Sequence, residues 1–171
     1  MSTALARPWL NRLPAELAVG AGLLVALALV AVLGPAATRD PAAIDLYARF
    51  ATPLSGDHLL GADHLGRDLL ARAAAGTQWS LAVAAGATLL AAVLGTLLGL
   101  AAAASRGLGR RVLLQVVNLI LSFPSLIAAM ALIAIVGQGY ATLVLVLGTI
   151  TSPVFARVVY AESLALLERD Y

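Results

Sequence analysis

Four stretches of the chain are almost wholly apolar. Leu17–Gly34, Trp79–Ala104 and Val112–Val136 hold no charged residue, and Tyr140–Tyr160 holds only Arg157, near its end. Each reaches or exceeds the roughly 18–20 residues needed to cross about 30 Å of hydrocarbon. Backbone groups inside lipid must bond to one another, so each stretch predicts a helix. The third carries Pro124 midway. Proline removes an amide donor and displaces the carbonyl of Ile120, so a kinked span is expected, with Ser122 and Ser125 placed to satisfy the freed backbone.

Composition agrees. The chain is 171 residues, 61% hydrophobic and 12% charged, against about 45–50% apolar and about 25% charged in soluble domains. The apolar excess is Ala, Leu, Val and Gly, small residues that let helices approach closely in lipid. The expected class is all-α, a polytopic transmembrane helical bundle. Cysteine is absent, which excludes disulfides and thiolate metal sites. The net charge of +2 comes from eleven arginines and no lysine. They are scattered, and none forms a run that would track a phosphate backbone, so nucleic-acid binding has no support.

Arginine placement sets direction. Arg7 and Arg12 precede the first span, Arg106, Arg110 and Arg111 fill the turn after the second, and Arg157 and Arg169 end the fourth. If each span crosses once, these fall on one side, which the positive-inside rule makes the cytoplasm. The N-terminus is then cytoplasmic and residues 35–78 external. That segment holds Arg39, Arg49, Arg67 and Arg72, outnumbered by Asp40, Asp45, Asp57, Asp63 and Asp68. The tail with Glu162, Glu168, Arg169 and Asp170 is expected in the cytoplasm. A cleaved signal peptide is the rival reading of residues 1–37, but the apolar run exceeds the 7–15 residues of a signal core.

The external segment concentrates polar chemistry in "HLLGADHLGRD", residues 58–68, which holds both histidines. His58, Asp63, His64 and Asp68 supply metal-ligand atom types, yet no recognised zinc spacing occurs among them, and no metal is expected. Catalysis is not expected either, because no histidine lies within a span beside a serine or threonine. The residues suit a short amphipathic helix from about His64 to Ala75. Asp63 would cap it, Asp63–Arg67 and Asp68–Arg72 would form i,i+4 pairs, Gly76 would end it, and Trp79 would mark the interface.

Inside the spans, Gly95 and Gly99 form a small-xxx-small face suited to close helix packing. Asn118 lies two turns in from Arg111, where an amide is expected to face protein, through an interhelical hydrogen bond, or a water-filled path. Gln115 and Arg157 are close enough to the boundary to reach water.

"HLLGADHLGRDLLARAAAGTQWSL" resembles the outer-loop signature of inner-membrane permease subunits of dipeptide and oligopeptide ABC importers, the second permease type, whose relatives carry nickel chelates or glutathione. His58, Leu60, Gly61, Asp63, Gly66, Arg67, Asp68 and Arg72 carry the match, continued by Gly76, Ser80 and Leu81. Ala62 stands where threonine is usual, Leu59 where proline is common and Ala71 where serine is common. "LILSFPSLIAAMALIAIVGQG" and "SPVFARVVYAESLALLERDY" are similar to the family's third span and to the approach to its ATPase-docking loop, with Asn118 where aspartate is common and Tyr160 where arginine is common. The resemblance implies a non-enzymatic permease without cofactor in the cell membrane. Its partners would be a second permease subunit, two ATP-binding subunits and an external solute-binding protein. It also implies about six spans, with a coupling segment following Tyr171. The chain is therefore expected to be the N-terminal part of such a protein or the product of a truncated gene, the latter being a remnant or structural subunit that does not transport. It divides into residues 1–34 (N-terminus and first span), 35–78 (external loop) and 79–171 (start of the transport domain).

The arginine pattern makes a direct prediction in this cysteine-free chain. Ser55→Cys is expected to react with a membrane-impermeant thiol reagent in intact cells, and Ser105→Cys is not. The reverse labelling would contradict the orientation.

Overall fold

The computed structural model describes residues 15–56 and 58–167. Arg7, Arg12, Asp57, Glu168, Arg169 and Asp170 lie outside the described residues. The regular structure is helical: α1 Ala15–Ala37, a 3-10 turn at Leu46–Ala48, α2 Leu69–Ala104, α3 Leu108–Ser122, α4 Ser125–Val136 and α5 Tyr140–Leu167. Among the described residues, extended pairing is limited to isolated bridges at Ser55–His58 and Ala62–Asp68. The chain forms two compact units, Met1–Leu81 and Ala82–Tyr171, with α2 running through the boundary.

In the first unit α1 exposes Leu23, Leu24 and Val32, as a lipid-facing helix does. Its C-terminal end meets the start of α2 at small residues. A Cβ on Gly34 would fall 2.6 Å from the Cβ of Ala74, and Ala71 and Ala74 are buried. The amide and hydroxyl of Thr38 both donate to the Gly34 carbonyl, satisfying a terminal acceptor. The separate amphipathic helix expected over residues 64–75 is not present. Residues 63–68 are non-helical, with a turn at 64–65, the helix begins at Leu69, and it continues through Gly76 to Ala104. Asp68 is the reason for the start: its Oδ1 accepts the Ala71 amide at 2.8 Å, the N-cap geometry, so the cap is Asp68 and not Asp63. Gly76, between Ala75 and Thr77, does not end it. At 36 residues, α2 is about 54 Å long, so its arginine-bearing first turns extend beyond the hydrocarbon.

In the second unit α2 and α5 pack through small residues. A Cβ on Gly95 would meet the Ser152 carbonyl and the Phe155 Cβ, and one on Gly99 would lie 2.7 Å from the Ala156 carbonyl. One on Gly148 would lie 2.9 Å from the Leu90 Cβ. Ser152, Pro153 and Ala156 are buried here. Pro153 cannot donate to the Thr149 carbonyl, and the Ser152 hydroxyl does so instead at 2.8 Å, which keeps α5 continuous. Tyr140 donates its hydroxyl to the Ala82 carbonyl at 3.3 Å.

The contacts advance together along both helices: Gly86 faces Tyr140 and Val144, Leu90 faces Gly148, Gly95 faces Ser152, and Gly99 faces Val159. Parallel neighbours cross in the same direction, so the segment between them must return across the membrane. That segment is not the single kinked helix expected from Pro124. α3 and α4 meet at 87°. Phe123 is extended, φ −88° and ψ 140°, as steric conflict with the following proline favours, and this ends α3 outright. Ser122 donates to the Leu119 carbonyl and not to that of Ile120. Three helices are long and apolar enough to cross alone, and the bent pair counts as a fourth if it forms one span. α5 also runs past the expected end at Tyr160, so Glu162 belongs to the helix and not to a terminal stretch.

Gly95→Leu is expected to lower stability by about 1–3 kcal/mol through overpacking. Thermal unfolding in detergent would measure it. Gly20→Leu, whose Cβ meets nothing within 4 Å, is expected to leave the midpoint unchanged. Equal midpoints for both variants would contradict the close packing of α2 on α5.

Candidate functional site

The residues singled out by pattern between the first two spans fall in one turn-built structure. Asp45 caps the 3-10 turn by accepting the Tyr47 amide. Beyond it, backbone bonds link Phe50 to Asp63, Ala62 to Ala51, and Leu69 to Gly61. Arg49 donates from Nε to the His64 carbonyl at 2.9 Å. Two glycines make these approaches possible. Gly61 has φ +83° and a Cβ there would lie 2.5 Å from the Ala51 carbonyl; Gly66 has φ +74° and a Cβ would collide with the Asp45 carbonyl. A side chain at either is excluded on both counts.

Two carboxylates organise the charged groups. Asp63 Oδ1 accepts the amides of Leu65 and Arg67 at 2.8 and 3.0 Å, and Oδ2 accepts from the guanidinium groups of Arg67 and Arg72. Asp68 caps α2 with Oδ1 and takes Nδ1 of His58 with Oδ2 at 2.9 Å, a buried pair. Of the two expected i,i+4 pairs, Asp63–Arg67 is present. Asp68–Arg72 is not: the oxygens of Asp68 are taken by His58 and the helix start, and Arg72 turns to Asp63. Burial opposes the charge on both carboxyls. At Asp63 the Arg67 and Leu65 amides and the Arg67 guanidinium outweigh it and hold the group far below the usual carboxylate range. At Asp68 the Ala71 amide and His58 do the same in direction.

The four candidate ligands are thus split between two pairings, and His64 enters the structure through its carbonyl. Among the described residues no three His, Asp or Glu side chains converge as a metal site. His58, Gly61, Asp63, Gly66, Arg67, Asp68 and Arg72 build the loop, while Leu60 is exposed. Sequence reasoning had no signal for the His58–Asp68 pair, because ten residues of turn separate its members.

The second place is in the apolar part. Arg157 of α5 donates to Oδ1 of Asn118 on α3 at 2.8 Å, the interhelical hydrogen bond that was one of two expectations for Asn118. Gly95 and Gly99 lie in the α2–α5 seam, and Pro124 lies at the α3–α4 break. Arg110 donates to the carbonyls of Ser105 and Ala103, capping the end of α2 as well as marking a membrane boundary.

Depressed carboxyl pKa values stabilise the folded loop above the unfolded value of about 3.9, and that contribution is lost as pH falls through the lower folded values. Hydrogen-exchange protection of the Leu65, Arg67 and Ala71 amides is expected to hold from pH 7 to about 4 and to weaken progressively below. Asp63→Asn is expected to remove the acid response at Leu65 and Arg67 while leaving that at Ala71. Protection independent of pH down to 2 would contradict the assignment.

Residues 95–171 match the family described as "Binding-protein-dependent transport system inner membrane component". The chain is 34% identical over 166 residues to the glutathione transport system permease protein GsiD of Pectobacterium atrosepticum, covering 95% of this chain and 55% of that protein. It is 31% identical over 150 residues to a protein of Escherichia coli K12 named "Probable D,D-dipeptide transport system permease protein DdpC", with coverage of 87% and 50%. Over 113 residues it is 34% identical to the di/tripeptide transport system permease protein DppC of Pseudomonas aeruginosa, with coverage of 66% and 37%. The chain spans about half the length of the curated relatives it matches. These are transport components and not enzymes, and the apolar helices fit a multi-pass inner-membrane protein. Residues 95–171 of the chain thus belong to the binding-protein-dependent transport family of inner-membrane components.

Proposed function

We propose that the chain forms part of the transmembrane path of an ABC importer for peptides or a related small solute, with nickel chelates and glutathione as the other candidate cargoes. The observation that carries the proposal is similarity along nearly the whole chain to permeases named for glutathione and dipeptide transport. In this reading residues 1–34 are the cytoplasmic N-terminus and first crossing, 35–78 the external loop, and 79–171 the start of the transport domain. The three arginines Arg106, Arg110 and Arg111, between α2 and α3, support a cytoplasmic side there. With that side cytoplasmic, the Asp63-centred loop before the start of α2 would lie outside, within reach of an external solute-binding protein.

A second permease subunit would complete the path, and two ATP-binding subunits would supply the energy. Transport would be alternating access, in which partners bias the helices between two states by binding them unequally. The α3–α4 break suits such motion, because helices joined by an extended Phe123-Pro124 link change angle without losing internal hydrogen bonds.

The test is a chimera. Residues 1–171 replace the matching part of the Pectobacterium glutathione permease, expressed with its partner subunits in a strain lacking the native protein. ATP-dependent uptake of glutathione or a dipeptide is expected. A chimera that inserts and assembles but imports neither would contradict the reading.

A further inference from the structure

α5 carries a charge inside its apolar length. Gly99 lies against the Ala156 carbonyl, five residues before α2 ends at Ala104. This places neighbouring Arg157 about 8 Å inside that end at 1.5 Å per residue. The side chain runs across to Asn118 on α3. The amide it meets is neutral, and a guanidinium has five N–H donors, of which this bond uses one. The carboxylates of the described ion pairs at Asp63 and Asp68 take His58, Arg67 and Arg72, not Arg157. Glu162, the carboxylate of α5 among the described residues, is more than a turn further on. Arg157 and Asn118 are both exposed on this chain. An ionised group at such depth requires water or an opposite charge.

A cleft of about 210 Å³ lies beside the pair, lined by Leu121, Phe123 and Ser125 at the α3–α4 break and by Ile150, Thr151 and Val154 of α5. Leu121 and Val154 are each about one helical turn from Asn118 and Arg157 respectively. The pair therefore closes the end of the cleft nearer the α2–α3 turn. The cleft lining is apolar apart from two hydroxyl side chains, and the guanidinium of Arg157 stands one turn beyond it at that end.

We propose that Arg157, held in position by Asn118, binds the carboxylate of a small amphipathic solute whose apolar part occupies the cleft between α5 and the α3–α4 break. This deepens the transport reading and rests on it, since a path open to solute is what brings a carboxylate to this depth. The remaining guanidinium donors match a carboxylate in a two-point geometry that an amide lacking charge does not reward. Asn118 orients the head group without neutralising it, which an aspartate there would do.

The full chain in lipid nanodiscs would be titrated with radiolabelled alanyl-leucine and with its C-terminal amide. The free acid is expected to bind at least about tenfold more tightly. Arg157→Gln is expected to bind both alike. Asn118→Asp, which gives the guanidinium an internal partner, is expected to lose the preference too, whereas Arg157→Lys should retain part of it. Equal binding of acid and amide by the unaltered chain would overturn the proposal without relying on any variant. So would absence of saturable binding, or a preference that survives both Arg157→Gln and Asn118→Asp. A chimera that imports solute while the unaltered chain ignores the carboxylate sinks this assignment alone; a chimera that imports nothing sinks the transport reading itself.

Discussion

The seam of small residues between α2 and α5 is the constraint from which the second unit follows. Lipid supplies no hydrophobic force to press helices together, so association depends on close van der Waals contact. Gly95 and Gly99 allow it on one side, and Gly148, Ser152 and Ala156 on the other. Because contacts advance in step along both helices, the seam also sets their relative direction. Two parallel crossings require a return between them, and α3 with α4 supplies it despite the 87° bend. The placement of Arg157 level with the last turns of α2 follows from that parallel packing.

The loop between α1 and α2 obeys a different physics. It has no apolar core of its own; Tyr47, Phe50, Leu54 and Leu59 are exposed. Two carboxylates stand in for one, Asp63 gathering two amides and two guanidinium groups, Asp68 joining a buried histidine to the first turn of α2. Each hydrogen bond to a charged acceptor is stronger than a neutral one, and backbone turns through Gly61 and Gly66 bring the partners together. The motif that looks like binding chemistry in the sequence is, in the structure, the framework of the loop.

The helical crossings were legible because an uninterrupted apolar run has few other stable forms in lipid. Their ends were not. α2 begins at Leu69 and not Trp79 because the charged residues of its first turns hide the helix from an apolar scan, while Asp68 and the alanines extend it. The third crossing breaks because Phe123 must adopt an extended conformation before Pro124. The Gly95–Gly99 face showed in its spacing, and Gly34 did not, since its partner Ala74 is forty residues away and carries no motif. Asn118 stood out as an amide among apolar residues. Its partner Arg157 looked like a boundary charge, because nothing local to residue 160 announces that the helix continues.

The parallel packing of α2 and α5 is tested most directly by disulfide trapping in this cysteine-free chain. Paired cysteines at Leu90 and Gly148, and separately at Gly99 and Val159, are expected to cross-link under mild oxidation in native membranes, since both Cβ pairs approach closely. The crossed pairs, Leu90 with Val159 and Gly99 with Gly148, are expected to stay reduced. Cross-linking of the crossed pairs in preference to the first two would mean antiparallel helices and would contradict the topology built on the seam.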